Sequence, residues 1–495
     1  MSRRAVVIGA GAAGMLAAAA LSPVVDHVVV LDRDELPDGP EHRTGVPQGR
    51  HAHLLMHGGL EAMEKLLPRA GIRAALLAAG ARQIPLSSGM VALTPAGWFR
   101  RWRHHDAYLT ITCSRALLDW VVRTAVLRDT GITVHRAQAT GLLGDARRVL
   151  GVRLSPVAGG EFDPGLLAGH GLRLAGDGGE GELDADFVVD ASGRGTRVVR
   201  WLEALGIHGI HEENLDSGLV NATRVYRVPE GARNWPLTLI QANPYTGRPG
   251  RSGMIVPIEN DQWMVSLGGS RGSEPPKDPD GFLTYALGLP SPLVGRLIAG
   301  ATPLTSVFTS HSTSNSRRYL EKAGAWPDRF VALGDAAATF NPLYGQGMSV
   351  AALGAGSLAE AVRRTDVGAP GLARRVQRAA ARSVEAAWSV AVSTDVLYPD
   401  VEGGRPTLAH RLTAGYSKRL TEAATGSYAA ASALWDVTCL RTGPTRLMRP
   451  DAVLSALTGP ALPPLAGPPL TADERAFLST LARARDLGGT PSPAR

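Results

Sequence analysis

The apolar residues of this chain follow three rhythms in succession. Short unbroken runs come first: Ala5-Val6-Val7-Ile8 and, further on, Val28-Val29-Val30-Leu31 running into Asp32. Runs that are β-rich and apolar at every position predict strands buried on both faces, as in a parallel sheet. Between them, Gly9-Ala10-Gly11-Ala12-Ala13-Gly14 opens an Ala-rich stretch to about Leu21 that predicts a helix, so this segment predicts a βαβ unit. Phe187-Val188-Val189-Asp190 and Phe330-Val331-Ala332-Leu333-Gly334-Asp335 predict two more buried strands, each ending at a carboxylate. From Gly218 to Gly269 the texture shifts to short alternating runs split by Pro, Gly and Asn, which predicts an antiparallel sheet in a second domain. Beyond Gly371 the pattern is almost purely helical, with amphipathic stretches at Leu372 to Val390, Leu408 to Cys439 and Ala472 to Arg485, and a tail from Gly488 to Arg495 that is expected to fray.

Composition narrows the class. The chain has 495 residues, 44% hydrophobic and 20% charged, enough apolar surface to offset the entropy of folding. Lys65, Lys277, Lys322 and Lys418 are the lysines among 52 basic residues, and the rest are scattered arginines. Nucleic-acid binding would need clustered positive charge interleaved with aromatics, yet aromatics are only 5%, so no nucleic-acid partner is expected. Cys113 and Cys439 form no CxxC pair or metal-ligand spacing, so neither a disulfide framework nor a metal site is expected, and a reducing cytoplasm is. Ser2-Arg3-Arg4 before the apolar stretch imitates a secretory signal, but Gly9, Gly11 and Gly14 interrupt it, which favours strand and helix. No apolar run reaches the ~18 residues of a transmembrane span.

The chemistry lies where strands turn into helices. In the first turn, one glycine allows the tight bend, one lets backbone N–H groups approach a pyrophosphate at the helix N-terminus, and one lets helix pack on strand. Asp32 follows Gly14 by 18 residues, where a carboxylate can accept from a ribose diol. These features predict a dinucleotide site, for FAD or NAD. Asp190 leads into Ala191-Ser192-Gly193-Arg194-Gly195-Thr196-Arg197, a Gly-broken turn with two arginines. Asp335, at its strand end, can bind a polyol. Gly345 and Gly347 can bring backbone amides to a flat ring, and a helix starting near Gly347 would point its positive end there, which favours an anionic reduced flavin by roughly 0.3–1 kcal/mol.

These segments together resemble the three FAD signatures of the single-component (group A) flavoprotein monooxygenases with a p-hydroxybenzoate-hydroxylase-like fold. The match covers roughly residues 1–60, 105–200 and 325–390. The resemblance implies an α/β fold: a Rossmann-like FAD-binding domain from 1–75, 105–212 and 325–390, an antiparallel β-sheet substrate domain from 76–104 and 213–324, and a helical region at 391–495 capping the pocket. By that resemblance Gly9, Gly11, Gly14, Asp32, Arg33, Arg43 and Arg115 would hold the nucleotide half of FAD, with Ser114-Arg115 placing a guanidinium near the sugar-phosphate and Asp190 a further cofactor-binding residue. Asp335 would bind the ribityl chain, and Pro342, Gly345, Gln346, Gly347 and Met348 would line the ring. Ala191 stands where the family commonly has glycine, which weakens a reductant-contact role for Asp190 and Arg197.

The stretch from Arg43 to Leu55, with Gln48, His51 and His53 as candidate catalytic residues, together with Trp326-Pro327, is similar to monensin-type polyene epoxidases of polyether antibiotic pathways, and more distantly to squalene epoxidase. This implies NADPH or NADH as reductant, O2 as co-substrate and a hydrophobic linear polyene as substrate, with a separate flavin reductase as a further partner. Candidate pocket walls are Met254, Val256, Trp263, Val265, Leu267, Phe308 and Phe340. Halogenases on this scaffold resemble a pattern with paired tryptophans before Ile-Pro and a reactive lysine; here the strand reads Gly253-Met254-Ile255-Val256-Pro257 and the lysines lie elsewhere. The alternatives are an aromatic hydroxylase and a non-redox cyclase or prenyl-chain escort protein.

Overall fold

The computed structural model describes residues 2–103, 107–157, 160–162, 166, 169–175, 179–311 and 313–487; the tail from Gly488 lies outside them. The chain is a mixed α/β protein. Its unbroken apolar runs become a five-stranded sheet in the order Phe330–Ala332, Phe187–Asp190, Arg4–Ile8, His27–Asp32, Thr133–Arg136. Every pairing is parallel, with Ile8 opposite both Asp190 and Leu31, and Asp190 opposite Ala332. That register brings the carboxyl ends of the strands, with Asp32, Asp190 and the turn to Asp335, to one edge, where α/β sheets bind their ligands. The helix Ala12–Leu21 is buried at nine of its ten positions, which explains why it is apolar all round instead of amphipathic. It packs against the helices Arg115–Asp129 and Gly347–Arg364. The turn that leads to Asp335 also comes close to it: a Cβ on Gly334 would stand 2.7 Å from that of Ala13.

A four-stranded antiparallel sheet built from residues 138 to 184 extends this unit. The larger second sheet has seven strands, in the order Phe308–Ser310, Val220–Arg227, Gln262–Gly269, Arg251–Ile258, Leu237–Ile240, Met90–Thr94, Gly97–Trp98. It is antiparallel save for one pair, Leu237–Ile240 with Met90–Thr94, which runs parallel. Its strands alternate between two buried faces. Ile255, Trp263, Val265 and Leu267 pack on the helices Pro279–Leu287 and Leu293–Ile298. Met254, Val256 and Met264 face the other way, toward the C-terminal helices Leu408–Ala424 and Tyr428–Thr438.

The helix Leu372–Asp395 runs through the position 390 boundary. Within the C-terminal region the alanine faces turn inward, Ala430, Ala433 and Ala452 being fully buried. Outward stand Leu408, Leu412, Met448, Leu454 and Leu457, each more than 60% exposed. Among the described residues no helix is long and apolar enough to cross a membrane, and no His, Cys, Asp and Glu cluster could hold a metal ion.

Candidate functional site

A cavity of about 550 Å³ runs along the carboxyl edge of the parallel sheet to the inner face of the seven-stranded one. At its first end the chain passes through Gly9 with φ +100°, a conformation that favours glycine. A Cβ on Gly14 would overlap the Gly9 carbonyl oxygen, so helix and strand close on each other without a side chain between them. Gly11 differs. Apart from its chain neighbours, none of the described residues comes within 4 Å of where its Cβ would be, and as N-cap it offers the helix no side-chain hydrogen bond. Gly11, Ala12 and Ala13 line the cavity, so the first helical turn, whose N–H groups have no partner inside an α-helix, borders open space, the arrangement in which a helix end takes an anion.

Asp32 closes this end. Its Oδ2 accepts from Ala10 N at 2.6 Å and from Arg43 Nη2 at 3.1 Å, and its Oδ1 from Asp34 N at 2.9 Å. Arg43 also donates to Ala10 O, so it latches the loop after the second strand onto the glycine turn. Arg33 lines the cavity beside Asp32. Arg115 lines it too, its Nε held by Asp119 at 2.8 Å and its helix capped by the Ser114 hydroxyl.

Asp190, expected to bind the cofactor, does not line the cavity. It is fully buried, accepting from Ser192 N at 2.9 Å and Thr196 Oγ1 at 2.6 Å, and so shapes the turn from which Arg194 and Arg197 reach the wall. Asp335 is the reverse case. It lines the cavity, accepts no hydrogen bond from the described residues, and burial pushes its pKa up against the pull of Arg115, Arg194 and Arg318. A Cβ on Gly347, the first residue of its helix, would lie 4.0 Å from Asp335 Oδ1.

Pro342, Gly345, Gln346, Gly347 and Met348 line the second end. Gly345 holds φ +65° with the Met56 methyl 3.3 Å from the place of a Cβ, so backbone rather than side chain faces the space. Asp395 pins this loop from below. Its carboxylate accepts from Asn315 Nδ2 at 2.7 Å, Asn341 Nδ2 at 2.8 Å and Tyr344 OH at 2.7 Å. Gln346 Nε2 donates to Thr438 O and Gly58 N to Cys439 O, which seats the C-terminal helix end against the loop.

Gln48, His51 and His53 line the cavity where it meets the seven-stranded sheet. Burial lowers the pKa of His51 to about 4; burial and Arg115 lower that of His53 to about 3. Of the expected pocket walls Phe340 lines the cavity. Met254 and Val256 share the face of Thr223 and Ser266 but lie in the core beyond it. Trp263, Val265 and Leu267 point through the opposite face, since adjacent residues of a strand alternate. Phe308 stands outside the lining, under the Arg50 guanidinium at 4.7 Å. Among the lining residues missed from the sequence are Arg194, Asn221, Ser310 and Thr339, and the anchor Asp395 was missed too; of these Arg194, in its Gly-broken turn, carries a local signal.

No family model matches the chain. Among solved structures it is similar to CmlS, a flavin-dependent halogenase, at 19% identity and TM-score 0.58, covering 99% of this chain and 78% of that one. It is also similar to PqsL, a probable FAD-dependent monooxygenase from Pseudomonas aeruginosa, at 18% identity and TM-score 0.54, covering 80% of this chain and 97% of that one. The Diels-Alderase PyrE3 of pyrroindomycin biosynthesis matches at 18% identity and TM-score 0.54, covering 88% and 80%. These likenesses establish the fold. Protein Rv3254 of Mycobacterium tuberculosis (strain ATCC 25618 / H37Rv) is 32% identical over 401 residues, 80% of each chain. The chain thus carries the fold shared by FAD-dependent monooxygenases and halogenases, and belongs to the family of Protein Rv3254.

Proposed function

We propose that the chain is an FAD-dependent monooxygenase that epoxidises alkenes of a linear, polyketide-type polyene. The observation that carries the flavin is the cavity itself: a first helical turn that borders it at Gly11 and, further along, the Asp335 carboxylate that no described residue hydrogen-bonds. An anion-accepting turn, a polyol-accepting carboxylate and a glycine-bordered slot fit the diphosphate, ribityl and ring parts of FAD in that order. In this reading segments 1–75, 105–212 and 325–390 hold the cofactor, 76–104 and 213–324 face the substrate, and 391–495 cap the pocket in a cytoplasmic enzyme. Gly9, Gly11, Gly14, Asp32, Arg33, Arg43 and Arg115 serve the nucleotide half, with Asp190 shaping the neighbouring turn.

Bound FAD, reduced by NADPH or NADH or by a separate reductase, supplies the activation of O2 for insertion into a carbon–carbon double bond. The protein's part is to orient and to exclude water. Pro342 to Met348, braced by Asp395, present backbone to the ring, and Asn221, Ser310 and Phe340 border the approach from the sheet. The histidines favour an alkene over a phenol. A phenol is helped by a base that takes its proton, but ring nitrogens with pKa values of about 4 and about 3 are poor bases, whereas an isolated alkene needs none.

The test is a panel of polyenes and phenols with the FAD-loaded protein, NADPH and air. The expected result is a product heavier by one oxygen with loss of alkene proton signals. Oxygen arriving on the aromatic ring instead would transfer the assignment to a hydroxylase, and a protein that takes up no flavin would end it.

A further inference from the structure

The two cavity-lining histidines are held by different partners, and those partners fix where each ring carries its proton. His53 Nδ1 lies 2.7 Å from the His51 carbonyl oxygen. A carbonyl only accepts, so Nδ1 bears the hydrogen and Nε2 of the neutral ring keeps a lone pair. His51 Nδ1 lies 2.8 Å from Thr223 Oγ1, which lies 2.6 Å from Ser266 Oγ, and Ser266 Oγ in turn accepts from Ala52 N at 3.3 Å. Read with Ser266 donating to Thr223 and Thr223 donating to Nδ1, this chain uses both hydroxyl protons. Reversed, it leaves the Ser266 proton without an acceptor among the described residues, in a side chain only 4% exposed. An unmade buried hydrogen bond is costly, so the first direction holds and the ring proton of His51 sits on Nε2.

We propose that His51 and His53 are a neutral donor–acceptor pair, an N–H from one and a lone pair from the other. The pair grips a ligand edge on which an acceptor oxygen stands beside an N–H or O–H. Two groups carry that edge: the imide side of a flavin ring and a hydroxy-carbonyl unit of a polyketide-type substrate. The ring-proton assignment stands on the hydrogen bonds alone; the ligand's identity rests on the flavin reading above. Burial keeps both rings uncharged, as their lowered pKa values require.

The experiment is nitrogen NMR on apoprotein carrying 15N-histidine at pH 6.5, with His51→Gln and His53→Gln to assign the signals. The expected spectrum has His51 protonated at Nε2 and His53 at Nδ1, with neither as imidazolium. In Thr223→Val the His51 tautomer loses its preference while the His53 signals stay, which separates the effect from misfolding. An imidazolium at either residue, or His51 protonated at Nδ1, would overturn the pair. FAD is then added to one sample and millimolar ethyl 3-hydroxybutanoate to another. Shifts at both histidines with FAD assign the edge to the flavin, and shifts with the ester alone assign it to substrate. Shifts with neither probe, although FAD has bound by absorbance, refute the grip. Absence of FAD binding refutes the flavin reading and leaves the tautomers, read in apoprotein, as they are.

Discussion

The two ends of the cavity are assembled from very different distances along the chain. At the end proposed for the nucleotide Ala10 meets Asp32 across 22 residues and Arg43 reaches Ala10 across 33. At the end proposed for the ring His51 meets Thr223 across 172 residues, Asn341 meets Asp395 across 54, and Gln346 meets Thr438 across 92. The first end is a local turn that a short stretch of sequence specifies by excluding side chains. The second exists only when sheet, loop and C-terminal helix have docked. The nucleotide end should therefore fail by steric overlap at single positions, and the ring end by loss of long-range polar partners.

The sharpest break is a pair of glycine substitutions. In Gly14→Ala the new methyl overlaps the Gly9 carbonyl oxygen, so strand and helix must part; we expect a loss of about 3 kcal/mol and no retained FAD. In Gly11→Ala the methyl meets no protein atom within 4 Å. Stability there should change by no more than about 0.5 kcal/mol, while FAD affinity falls because the methyl occupies ligand space. Urea unfolding and flavin absorbance check both. Equal stability losses in the two variants would show that Gly11 is structural and the open helix end is not a cradle.

At the other end the comparable variant is Asp395→Ala, which strands the donors of Asn315, Asn341 and Tyr344. Hydrogen bonds to a charged group contribute about 1.5–3 kcal/mol, and water entering the hole recovers part of that, so a loss of about 2 kcal/mol is expected. Asp395→Asn, which keeps an acceptor oxygen, should lose less. If the flavin spectrum of Asp395→Ala matches that of the wild type, the loop bordering the ring does not depend on this anchor.

The same contrast explains what the sequence made legible. The parallel sheet, its carboxylate-ending strands and the glycine turn were readable because each is encoded within a few dozen consecutive residues. Asp395 was not, since an aspartate near the end of a long amphipathic helix carries no mark of the loop it will meet. Met254 and Trp263 were read as walls of one pocket. Their strands pair Met254 with Ser266 and Pro257 with Trp263, which puts the two side chains on opposite faces. Parity across a hairpin requires the register, and the turn between these strands, with Asn260 and Asp261 both at positive φ, sets that register in a way composition alone does not reveal.

A smaller effect sharpens the comparison by separating stability from binding at one residue. Burial raises the pKa of Asp335 above its ordinary 3.8. The folded apoprotein thus holds this proton more tightly than the unfolded chain, and stability falls as pH rises from that ordinary value through the raised one. Asp335→Asn carries no charge to bury. Its apoprotein should be more stable than the wild type at pH 7 by roughly 0.5–2 kcal/mol, with the difference vanishing below about pH 3.8. Its FAD affinity should fall, because an amide has lost one acceptor oxygen. Unfolding curves at pH 3.5 and pH 7 with and without FAD provide the four measurements. A variant less stable at both values would mean that a protein partner, not a ligand, answers this carboxylate.

The smallest effects are expected on the outward face of the C-terminal helices, and they show which side of those helices works for the cavity. Ala452 and Ala456 of the helix Pro450–Thr458 are buried, at 0% and 6% exposure, whereas Leu454 and Leu457 are 61% and 71% exposed. If the inward alanine face alone seats this region against the ring end, the outward leucines contribute little, since most of their surface is in water already in the folded state. Leu454→Ser and Leu457→Ser should each change stability by about 0.5 kcal/mol or less, most of it the lower helix propensity of serine, and leave flavin affinity unchanged. Ala456→Leu should cost about 1–3 kcal/mol by forcing the helix off its neighbours. Guanidinium unfolding of the three variants measures the difference. A serine variant that loses as much as Ala456→Leu would show that the exposed face is buried against something in solution, and the ring end would then depend on a contact beyond this chain's own fold.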